Sequence, residues 1–436
     1  MDSPKKVLII TYYWPPSAGS GVQRWLKFTK FLPKFGWEPT IFTPENPDFN
    51  FTDESLLKDI AASTEVIRYP IWEPYNLFRF IKSKPKGQKV NPFSVVEKSH
   101  KSWFDRLSIW LRANLFIPDP RVFWVKPSVK FLEEYIKEHS IQAIITTSPP
   151  HSLHLIGREL KRKTGIPWIA DFRDPWSGWG FYDSLPMSKK VKRQHQKLEK
   201  SVLQEASAVI SVTPSFVREF TKNGGREVNL ITNGFDKDDF AHDKSRISSQ
   251  TPGFDLVHTG IINVFQNPIP LIQAFKKEFY AYRDPVRFIF VGTVTETVEE
   301  YIAGDTWLQE HVKVTGYVSH EEVFSYYRQA SMLALILPEG KHSAGNIPGK
   351  IFEYMSTGKQ IIGLGNPQGD ASALICQSQT GLVFSPEDEV GLRNYLRAGF
   401  SGEARPNENI EIAQYSREYL TGKLADILDE QVHSLS

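Results

Sequence analysis

The sequence predicts an α/β protein built from two doubly wound domains. Apolar runs that suit buried parallel strands alternate with amphipathic helical segments, and this alternation starts again after a polar stretch from Asp238 to Pro252. At 436 residues the chain is also too long for one ordinary core. We therefore predict two Rossmann-like domains that face a central cleft.

The first half opens with a strand–loop–helix–strand unit. The apolar run KKVLIITYY precedes the loop WPPSAGSG, a helix that ends at Gly36, and the strand EPTIFTP. Further strands are predicted, with helices between them, in the runs QAIITTSPPH, IPWIADFRDPW, SAVISVTP and EVNLITNGFD. A glycine-bearing turn after the first strand is typical of a doubly wound sheet, so we place the first domain at residues 1–240.

The second half repeats this organisation at residues 253–408. Its strands are predicted in the runs DLVHTG, VRFIFVGTV, HVKVTGYV, SMLALILP, QIIGL and GLVFS, and its main helices in PIPLIQAFKKEFYA and HEEVFSYYRQA. Residues 409–436 have an amphipathic helical pattern. That pattern suits a last helical segment that packs back on the first domain.

A block at about residues 70–120 interrupts the alternation and is rich in aromatic and basic residues. From Asn76 to Leu115, nine lysines and arginines stand against Glu97 and Asp105, which makes a local charge of +7. The run SWFDRLSIWLRANLF places its aromatic and leucine residues at helical spacing. Two interpretations stay open: a segment that lies on an anionic membrane surface, or a lid or core face with solvated lysines.

The composition excludes several classes of protein. The chain is 40% hydrophobic and 23% charged, as globular proteins are, and its net charge of +2 argues against a nucleic-acid partner. The single cysteine, Cys376, excludes an intramolecular disulfide, and its surroundings ALICQS predict a core position. Neither a secretory signal nor an apolar run of about 18 residues is apparent. We expect a cytoplasmic protein, with peripheral attachment to the inner face of the membrane as an alternative.

The segment from Ile347 to Gly363, IPGKIFEYMSTGKQIIG, carries the most chemistry. A short helix is predicted from Pro348 to Thr357, with Lys350 and Glu353 on one face. The amides at its start and the lysine can bind phosphate, and the glutamate can accept hydrogen bonds from sugar hydroxyls. These are the contacts that a nucleotide-sugar needs. An ordinary helix start with a solvated lysine explains the same pattern, so both readings stay open here.

Taken together, the motifs resemble those of the family four glycosyltransferases. In order they are VLIITYYWPPSAGSGVQR, ITTSPPHS, ADFRDPW, TNGFD, HTG, VTGYVS and PGKIFEY, and they span nearly the whole chain. The resemblance implies the GT-B fold and retaining transfer of a hexosyl or related group from a nucleotide-sugar, without metal or another cofactor. The chain looks most similar to bacterial members that assemble cell-surface polysaccharides, such as lipopolysaccharide or capsule, on lipid carriers.

The resemblance also implies roles for residues in both halves. Three residues are implied in catalysis: His151 near the transferred sugar, Lys350 as the diphosphate cation and Glu353 as the ribose ligand. Donor binding is implied for Gly19, Gly21, Thr259, Gly260, Tyr317, Val318, Asn346 and Gly349. Acceptor or sugar binding is implied for Arg24, Asp171 and Arg173, while an internal aspartate–arginine brace that shapes the loop of Asp171, Arg173 and Asp174 is an equally open alternative.

Two departures from the family pattern bear on the mechanism. The family motif has two glutamates separated by seven residues, and Gly345 stands where the first is expected. The arginine and lysine that commonly follow the first strand of the second domain are not evident in HTGIINVFQNP. Lys350, with help from Lys341 or Arg24 and the amides from Gly345 to Gly349, must then stabilise the leaving diphosphate.

A possible metal-binding pattern is present but weak. Asp236 and Asp238, in GFDKDDF, have the spacing of a DxD metal site. They follow the turn predicted at Asn233 and Gly234 and have no other ligand types around them, so they read as a helix start. We predict no metal.

The leading hypothesis is a glycosyltransferase that moves a sugar from a nucleotide-diphosphate donor to a glycan or lipid-linked acceptor in cell-surface polysaccharide synthesis. A nucleotide-sugar epimerase of similar fold, which needs no acceptor, is one alternative. A non-catalytic sugar-nucleotide or glycan-binding protein is another, because the first glutamate is missing. Contact with an anionic membrane is an open expectation, and no nucleic acid is expected.

Overall fold

The computed structural model describes residues 4–17, 19–47, 52–73, 109–111, 113–178, 185–241, 253–340, 343–403 and 412–434. Its contacts divide the chain into two compact units, Met1–Thr232 with Arg417–Ser436, and Asn233–Ser416. The boundary predicted from the sequence, between residues 240 and 253, lies a few residues later. Most of the predicted basic aromatic block (residues 74–108 and 112) and of the linker (residues 242–252) lies outside the described residues.

The first unit contains a sheet of seven parallel strands in the order β3-β2-β1-β4-β5-β6-β7. The strands are β1 (Lys5–Ile10), β2 (Trp37–Pro44), β3 (Glu65–Tyr69), β4 (Ala143–Ser148), β5 (Trp168–Phe172), β6 (Ala208–Ser211) and β7 (Asn229–Leu230). The central strands β1, β4 and β5 are buried along most or all of their length because both faces of the sheet are covered. The strand order changes direction beside β1, as in doubly wound sheets.

Helices of the first unit connect these strands. They are α1 (Ser20–Phe31), α2 (Val122–Glu138), α3 (Ser152–Thr164), α4 (Lys189–Glu205) and α5 (Pro214–Gly224), and the last helix of the chain, Arg417–His433, joins the same unit. Leu420, Leu424 and Leu428 of that last helix are buried in one core cluster with Trp25 and Leu26 of α1. Their spacing of four residues places all three leucines on one face.

The second unit repeats the arrangement with six parallel strands in the order β10-β9-β8-β11-β12-β13. These strands are β8 (Phe254–Thr259), β9 (Val286–Val291), β10 (Val312–Val314), β11 (Met332–Ile336), β12 (Ile361–Leu364) and β13 (Gly381–Phe384). The helices are α6 (Asp238–Ala241), α7 (Ile269–Phe279), α8 (Glu296–Ala303), α9 (Thr306–His311), α10 (His320–Gln329), α11 (Lys350–Ser356), α12 (Asp370–Gln377) and α13 (Glu389–Ser401). The last helix of the chain in the first unit is then α14 (Arg417–His433).

Two buried apolar clusters, one on each face of the sheet, form the core of each unit. The two doubly wound α/β units that the sequence predicted are thus confirmed. Several details differ: β3 and the helix α2 had not been predicted, β7 has two residues and β10 three, and Cys376 is exposed instead of lying in the core. None of the described helices has the length and apolar character needed to cross a membrane.

Candidate functional site

A cluster of polar side chains in the second unit lies where β8 ends. Parallel strands in such sheets bind ligands at their carboxyl ends, because the loops that follow the strands meet there. The cluster combines the end of β8 with side chains from α10 and α11. Its members are His258, Thr259, Tyr327, Lys350, Glu353 and Tyr354.

Tyr327 connects the glutamate to the end of the strand. Its hydroxyl donates to Glu353 Oε2 at 2.7 Å and lies 3.2 Å from the hydroxyl of Thr259. Burial, then the charge of Glu353, raises the pKa of Tyr327 well above its usual value, so the phenol keeps its proton. The carboxylate of Glu353 is therefore held in one orientation by a permanent donor.

Tyr354, the residue after Glu353 on α11, also contacts the end of β8. Its hydroxyl accepts a hydrogen bond from the Thr259 amide at 2.9 Å and donates to the Ala334 carbonyl of β11 at 3.3 Å. Tyr354 is fully buried. A single side chain thus joins α11 to β8 and β11, which sets the position of the whole helix relative to the loop after β8.

Lys350 directs its ammonium inward, toward the end of β8. Its Nζ donates to the Thr259 carbonyl and lies 3.5 Å from His258 Nε2. His258 Nδ1 lies 3.0 Å from the Ala334 carbonyl, which can only accept, so the proton is on Nδ1 and Nε2 is an acceptor for the lysine. Burial lowers the pKa of Lys350 to about 8, although the charge of Glu353 raises it.

Gly260 leaves the space that this lysine occupies. Its φ is 98°, a left-handed conformation that glycine adopts without strain. A Cβ at this position would lie 2.8 Å from Lys350 Nζ. A side chain at residue 260 would therefore push the ammonium away from the strand end.

The helix with Lys350 and Glu353 is shorter than predicted. It begins at Lys350, not at Pro348, and has seven residues. The Asn346 amide, one of those predicted to bind the donor phosphates, donates to the Ser343 carbonyl at 3.1 Å. Because the helix is short and that amide is engaged, the ammonium of Lys350 is the main positive group of the described cluster. Lys341, which was predicted to assist, lies outside the described residues.

The residues predicted to line the base pocket follow β10. Tyr317 is exposed, with 61% of its surface accessible, and Val318 is half-buried. Val318 packs against the core cluster that contains Tyr327 and Tyr354. Through Val318 the loop is thus attached to the same core as the polar cluster, while Tyr317 is largely exposed.

In the first unit, Arg24 and Asp171 form a pair without any solvent exposure. Arg24 Nη2 and Nε donate to the two carboxylate oxygens of Asp171 at 2.9 and 3.2 Å, and Nη1 donates to the Thr232 carbonyl at 2.9 Å. Asp171 also accepts from Trp25 Nε1 at 2.9 Å and from the Thr147 hydroxyl at 2.8 Å. Burial raises the pKa of Asp171, but the charge of Arg24 and its hydrogen bonds outweigh this and lower it overall.

This burial corrects one part of the sequence analysis. Arg24 and Asp171 were expected to bind acceptor or sugar, and Arg24 to assist the diphosphate. Both side chains are instead directed into the core, and they cross-link α1 to β5. The geometry favours a structural role for both residues.

Arg173 lies against the start of α1, where Gly19 is the residue before the helix. Its Nε and Nη2 donate to the carbonyls of Ser148 and Pro149 at 2.9 and 3.0 Å. A Cβ on Gly21 would lie 2.5 Å from Arg173 Nη1, so the missing side chain admits the guanidinium. The structure therefore brings the predicted residues Gly21 and Arg173 together at the carboxyl edge of the sheet.

His151 follows β4 and precedes α3. Its imidazole is 3% exposed and stacks on the indole of Trp176, with ring centroids 4.9 Å apart and planes at 8°. Burial, followed by the neighbouring His154, His195 and Arg173, lowers the pKa of His151 well below its usual value. The ring is therefore neutral near pH 7.

Two family models together match most of the chain. The model described as "Glycosyl transferase 4-like domain" matches residues 21–234, and the model described as "Glycosyl transferases group 1" matches residues 254–398. The chain belongs to the group 1 glycosyltransferases. The resemblance drawn from the sequence motifs is thereby confirmed at the level of the family.

Solved structures share the fold of this glycosyltransferase. HepE of Anabaena in complex with UDP-glucose is 15% identical, with a TM-score of 0.56 and coverage of 99% of each chain. The lipopolysaccharide outer core galactosyltransferase WaaB is 12% identical, with a TM-score of 0.55 and coverage of 99% of this chain and 100% of that chain. A putative UDP-N-acetylglucosamine 2-epimerase from Listeria monocytogenes is 10% identical, with a TM-score of 0.57 and coverage of 99% and 97%.

At these identities the structural likeness shows the fold alone, which is the GT-B fold that the sequence predicted. No curated protein sequence matched the chain. The family assignment of the glycosyltransferase therefore depends on the two family models, and the roles of individual residues depend on the geometry of each unit.

The possible metal pattern of the glycosyltransferase lies at a helix start. Asp236 is buried, and its Oδ1 accepts from the Asp238 amide at 3.1 Å, just where α6 begins. Within the described ranges, no three histidine, cysteine, aspartate or glutamate side chains come together in a way that could hold a metal ion. Transfer without metal stays a prediction.

Several residues of the glycosyltransferase's site were missed by the sequence analysis. His258 stands in the HTG motif and Trp176 in ADFRDPW, yet only neighbouring residues of those motifs had been selected. Tyr327 and His195 belong to ordinary amphipathic helices, and His195 accepts from Trp176 Nε1 at 3.0 Å. The motifs HTG and ADFRDPW could have pointed to His258 and Trp176. Nothing in the helix sequences marked Tyr327 or His195.

Proposed function

We propose that this glycosyltransferase moves a sugar from a nucleotide-diphosphate donor to a glycan or lipid-linked acceptor, with retention and without metal, in cell-surface polysaccharide synthesis. The family match supports glycosyl transfer. Retention and the polysaccharide role follow the family resemblance, and the lipopolysaccharide galactosyltransferase among the structures of the same fold agrees with that role. We also propose a cytoplasmic enzyme that contacts an anionic membrane surface.

The observation that carries the proposal is that Lys350 and Glu353 stand on one helix, α11, and both belong to the polar cluster at the end of β8. Departure of a nucleoside diphosphate develops negative charge, which a preorganised cation in a partly buried site stabilises. The ammonium of Lys350 is such a cation, and it is three residues from a carboxylate that Tyr327 orients. We assign Lys350 to the diphosphate and Glu353 to the ribose hydroxyls, with Gly260 leaving room for the ammonium of Lys350.

In the first unit we assign the neutral imidazole of His151 to the transferred sugar. A neutral ring can donate from one nitrogen and accept at the other, which suits recognition of sugar hydroxyls. Trp176 and His195 hold the ring plane, since the indole stacks on His151 and is itself hydrogen-bonded. Arg173 and the start of α1, with Gly19 before the helix and Gly21 in its first turn, are assigned to phosphate or acceptor groups.

A panel of nucleotide-sugars tests the donor class. We expect the melting temperature of the protein to rise with one or a few donors, UDP-sugars among them, because HepE of the same fold was solved with UDP-glucose. Slow release of the nucleoside diphosphate without acceptor should accompany binding. Stabilisation without any release, even with added glycan or lipid-linked acceptors, would favour a binding protein, and conversion of the sugar without release would favour an epimerase.

The affinity for the donor should depend on pH through Lys350. Because the pKa of its ammonium is lowered to about 8, the free protein loses this positive charge as the pH rises through that value. The dissociation constant of a nucleotide-sugar should therefore increase, reaching about tenfold per pH unit above the pKa if only the charged lysine binds. Isothermal titration calorimetry between pH 6.5 and 9.5 measures it.

The matched control is Lys350→Arg, because an arginine stays charged over this range. The increase above pH 8 should disappear in Lys350→Arg, whatever its absolute affinity. In Glu353→Gln the carboxylate that raises the pKa of Lys350 is gone, so the increase should start at a lower pH. An identical pH profile in the wild type and Lys350→Arg would refute the assignment of this lysine to the diphosphate.

A further inference from the structure

The helix α4 has one face made almost entirely of basic residues. Val191, His195 and Glu199 are buried along its inner face. The outer face carries six exposed lysines and arginines, and at 100° per residue they all fall within an arc of about 160°. They are Lys189, Lys190, Lys192, Arg193, Lys197 and Lys200.

Among the described residues, five of these six side chains make no ion pair, unlike other basic side chains of the unit. Lys27 pairs with Asp59, Lys163 with Glu133, and Arg162 with Glu205, at 2.6–2.9 Å. In contrast, no ion pair within the described part of the chain involves Lys189, Lys190, Arg193, Lys197 or Lys200. We call these five residues the basic face.

The carboxylates of α4 itself do not compensate the basic face. Glu199 is turned inward, where it accepts from the amides of Trp176 and Ser177, and Glu205 at the far end pairs with Arg162. The first turn of α4 also has no acidic residue, although negative charge is what the positive end of a helix favours. The mutual repulsion of these cations is therefore not relieved by carboxylates of the described unit, which indicates an anionic partner.

Apolar side chains are exposed beside the start of α4. Asn114 Nδ2 donates to the Pro186 carbonyl at 2.9 Å, and its Oδ1 accepts from the Ser188 amide at 2.9 Å, which attaches this segment to the residue that caps α4. On the same segment, Trp110 is 45% and Leu115 63% exposed. An indole and a leucine thus border one end of the basic face.

We propose that the basic face, with Trp110 and Leu115 beside it, docks on an anionic lipid bilayer. Lipid headgroups neutralise the cations, and the boundary between headgroups and acyl chains accepts an indole and a leucine. A nucleic acid would satisfy the charges but would give Leu115 no apolar environment. The inference extends the proposed function by naming the contact surface, and vesicle binding itself does not require donor chemistry.

The test is co-sedimentation of the full-length protein with vesicles of phosphatidylglycerol and phosphatidylcholine, compared with phosphatidylcholine alone. We expect binding to the mixed vesicles only, weakened by salt. In the variant Lys189→Gln, Arg193→Gln, Lys197→Gln, Lys200→Gln, binding should fall about a hundredfold or more, since each basic residue near an anionic surface contributes about fivefold.

The control variant removes four exposed lysines elsewhere in the unit, as Lys126→Gln, Lys130→Gln, Lys137→Gln, Lys222→Gln. Each variant changes the net charge from +2 to −2, so only the position of the charges differs. The control should bind nearly as the wild type does. Trp110→Ala with Leu115→Ala should reduce the binding that persists at high salt, because that part does not depend on charge.

Equal loss of binding in both charge variants would overturn the proposal, since net charge alone would then explain it. Absence of vesicle binding, or tighter binding of the wild type to a nucleic-acid duplex at the same salt, would overturn it as well. The melting temperature and its rise with a nucleotide-sugar, measured on each variant, show that the variant is folded. They also show whether a variant has lost only vesicle binding or the proposed donor binding as well.

Discussion

Lys350→Met should lower the rate of sugar transfer by about 10²–10³-fold, the loss typical for removal of one preorganised group that stabilises charge in a transition state. Methionine keeps the length of the aliphatic stem and removes the ammonium near Thr259 and His258. Stabilisation of the protein by nucleotide-sugars should be lost in parallel. Nucleotide release and thermal shift, each over a range of donor concentrations, measure the two effects.

The same variant should be as stable as the wild type or more stable. The lowered pKa of Lys350 shows that its charge is disfavoured by burial, so removing the ammonium removes a desolvation cost. Loss of activity with an unchanged or higher melting temperature would separate a functional lysine from a structural one. The matched control is Lys313→Ala, at an exposed lysine of the same unit, which should leave transfer unchanged. Full activity in Lys350→Met would exclude the assignment.

Asp171→Ala should decrease the free energy of unfolding of the first unit by about 3–5 kcal/mol, because it leaves the guanidinium of Arg24 buried without its carboxylate. Trp25 and Thr147 lose their acceptor at the same time. Urea denaturation followed by tryptophan fluorescence measures this change. Ten of the eleven tryptophans belong to the first unit, since the second contains only Trp307, so the signal reports chiefly on the first.

Glu418→Ala is the control for this prediction. Its carboxylate pairs with Lys34 at 2.8 Å, but both side chains are about half exposed, so the change should cost at most about 1 kcal/mol. Arg24→Met combined with Asp171→Leu should be more stable than Asp171→Ala, because the double variant leaves neither charge unpaired. If Asp171→Ala were no more destabilising than Glu418→Ala, the Arg24–Asp171 pair would not stabilise the core as inferred.

The sequence predicted the fold well because the fold is encoded in local patterns. The run Val7 to Ile10 is apolar at every position, as a strand covered on both faces must be, and all four residues are fully buried. The strand Glu65–Tyr69 was missed because it has only five residues, EVIRY, which neither alternate nor form a long apolar run, and none of them is fully buried. Patterns of this length do not distinguish an outer strand from a loop.

The candidate site was predictable only where its residues are close in the sequence. Lys350 and Glu353 are three residues apart, so helical periodicity places them on one face without further information. Their partners Thr259 and Tyr327 are distant in the chain, and nothing in the local sequence pairs them. Arg24 and Asp171 are the opposite case. A polar residue at the end of a strand resembles a ligand-binding residue until its buried partner, 147 residues away, is known.

The sequence alone determined the two doubly wound units, the family of the chain and the helix that carries Lys350 and Glu353. These features follow from the spacing of apolar residues and from short motifs, both of which are local in the sequence. Only the tertiary structure decided that Arg24 and Asp171 brace the core, that Tyr327 and His258 contact Glu353 and Lys350, and that α4 presents basic residues without ion pairs among the described residues. Such facts depend on which polar groups meet across the sheet and which stay exposed, because hydrogen bonding and desolvation act between neighbours in space.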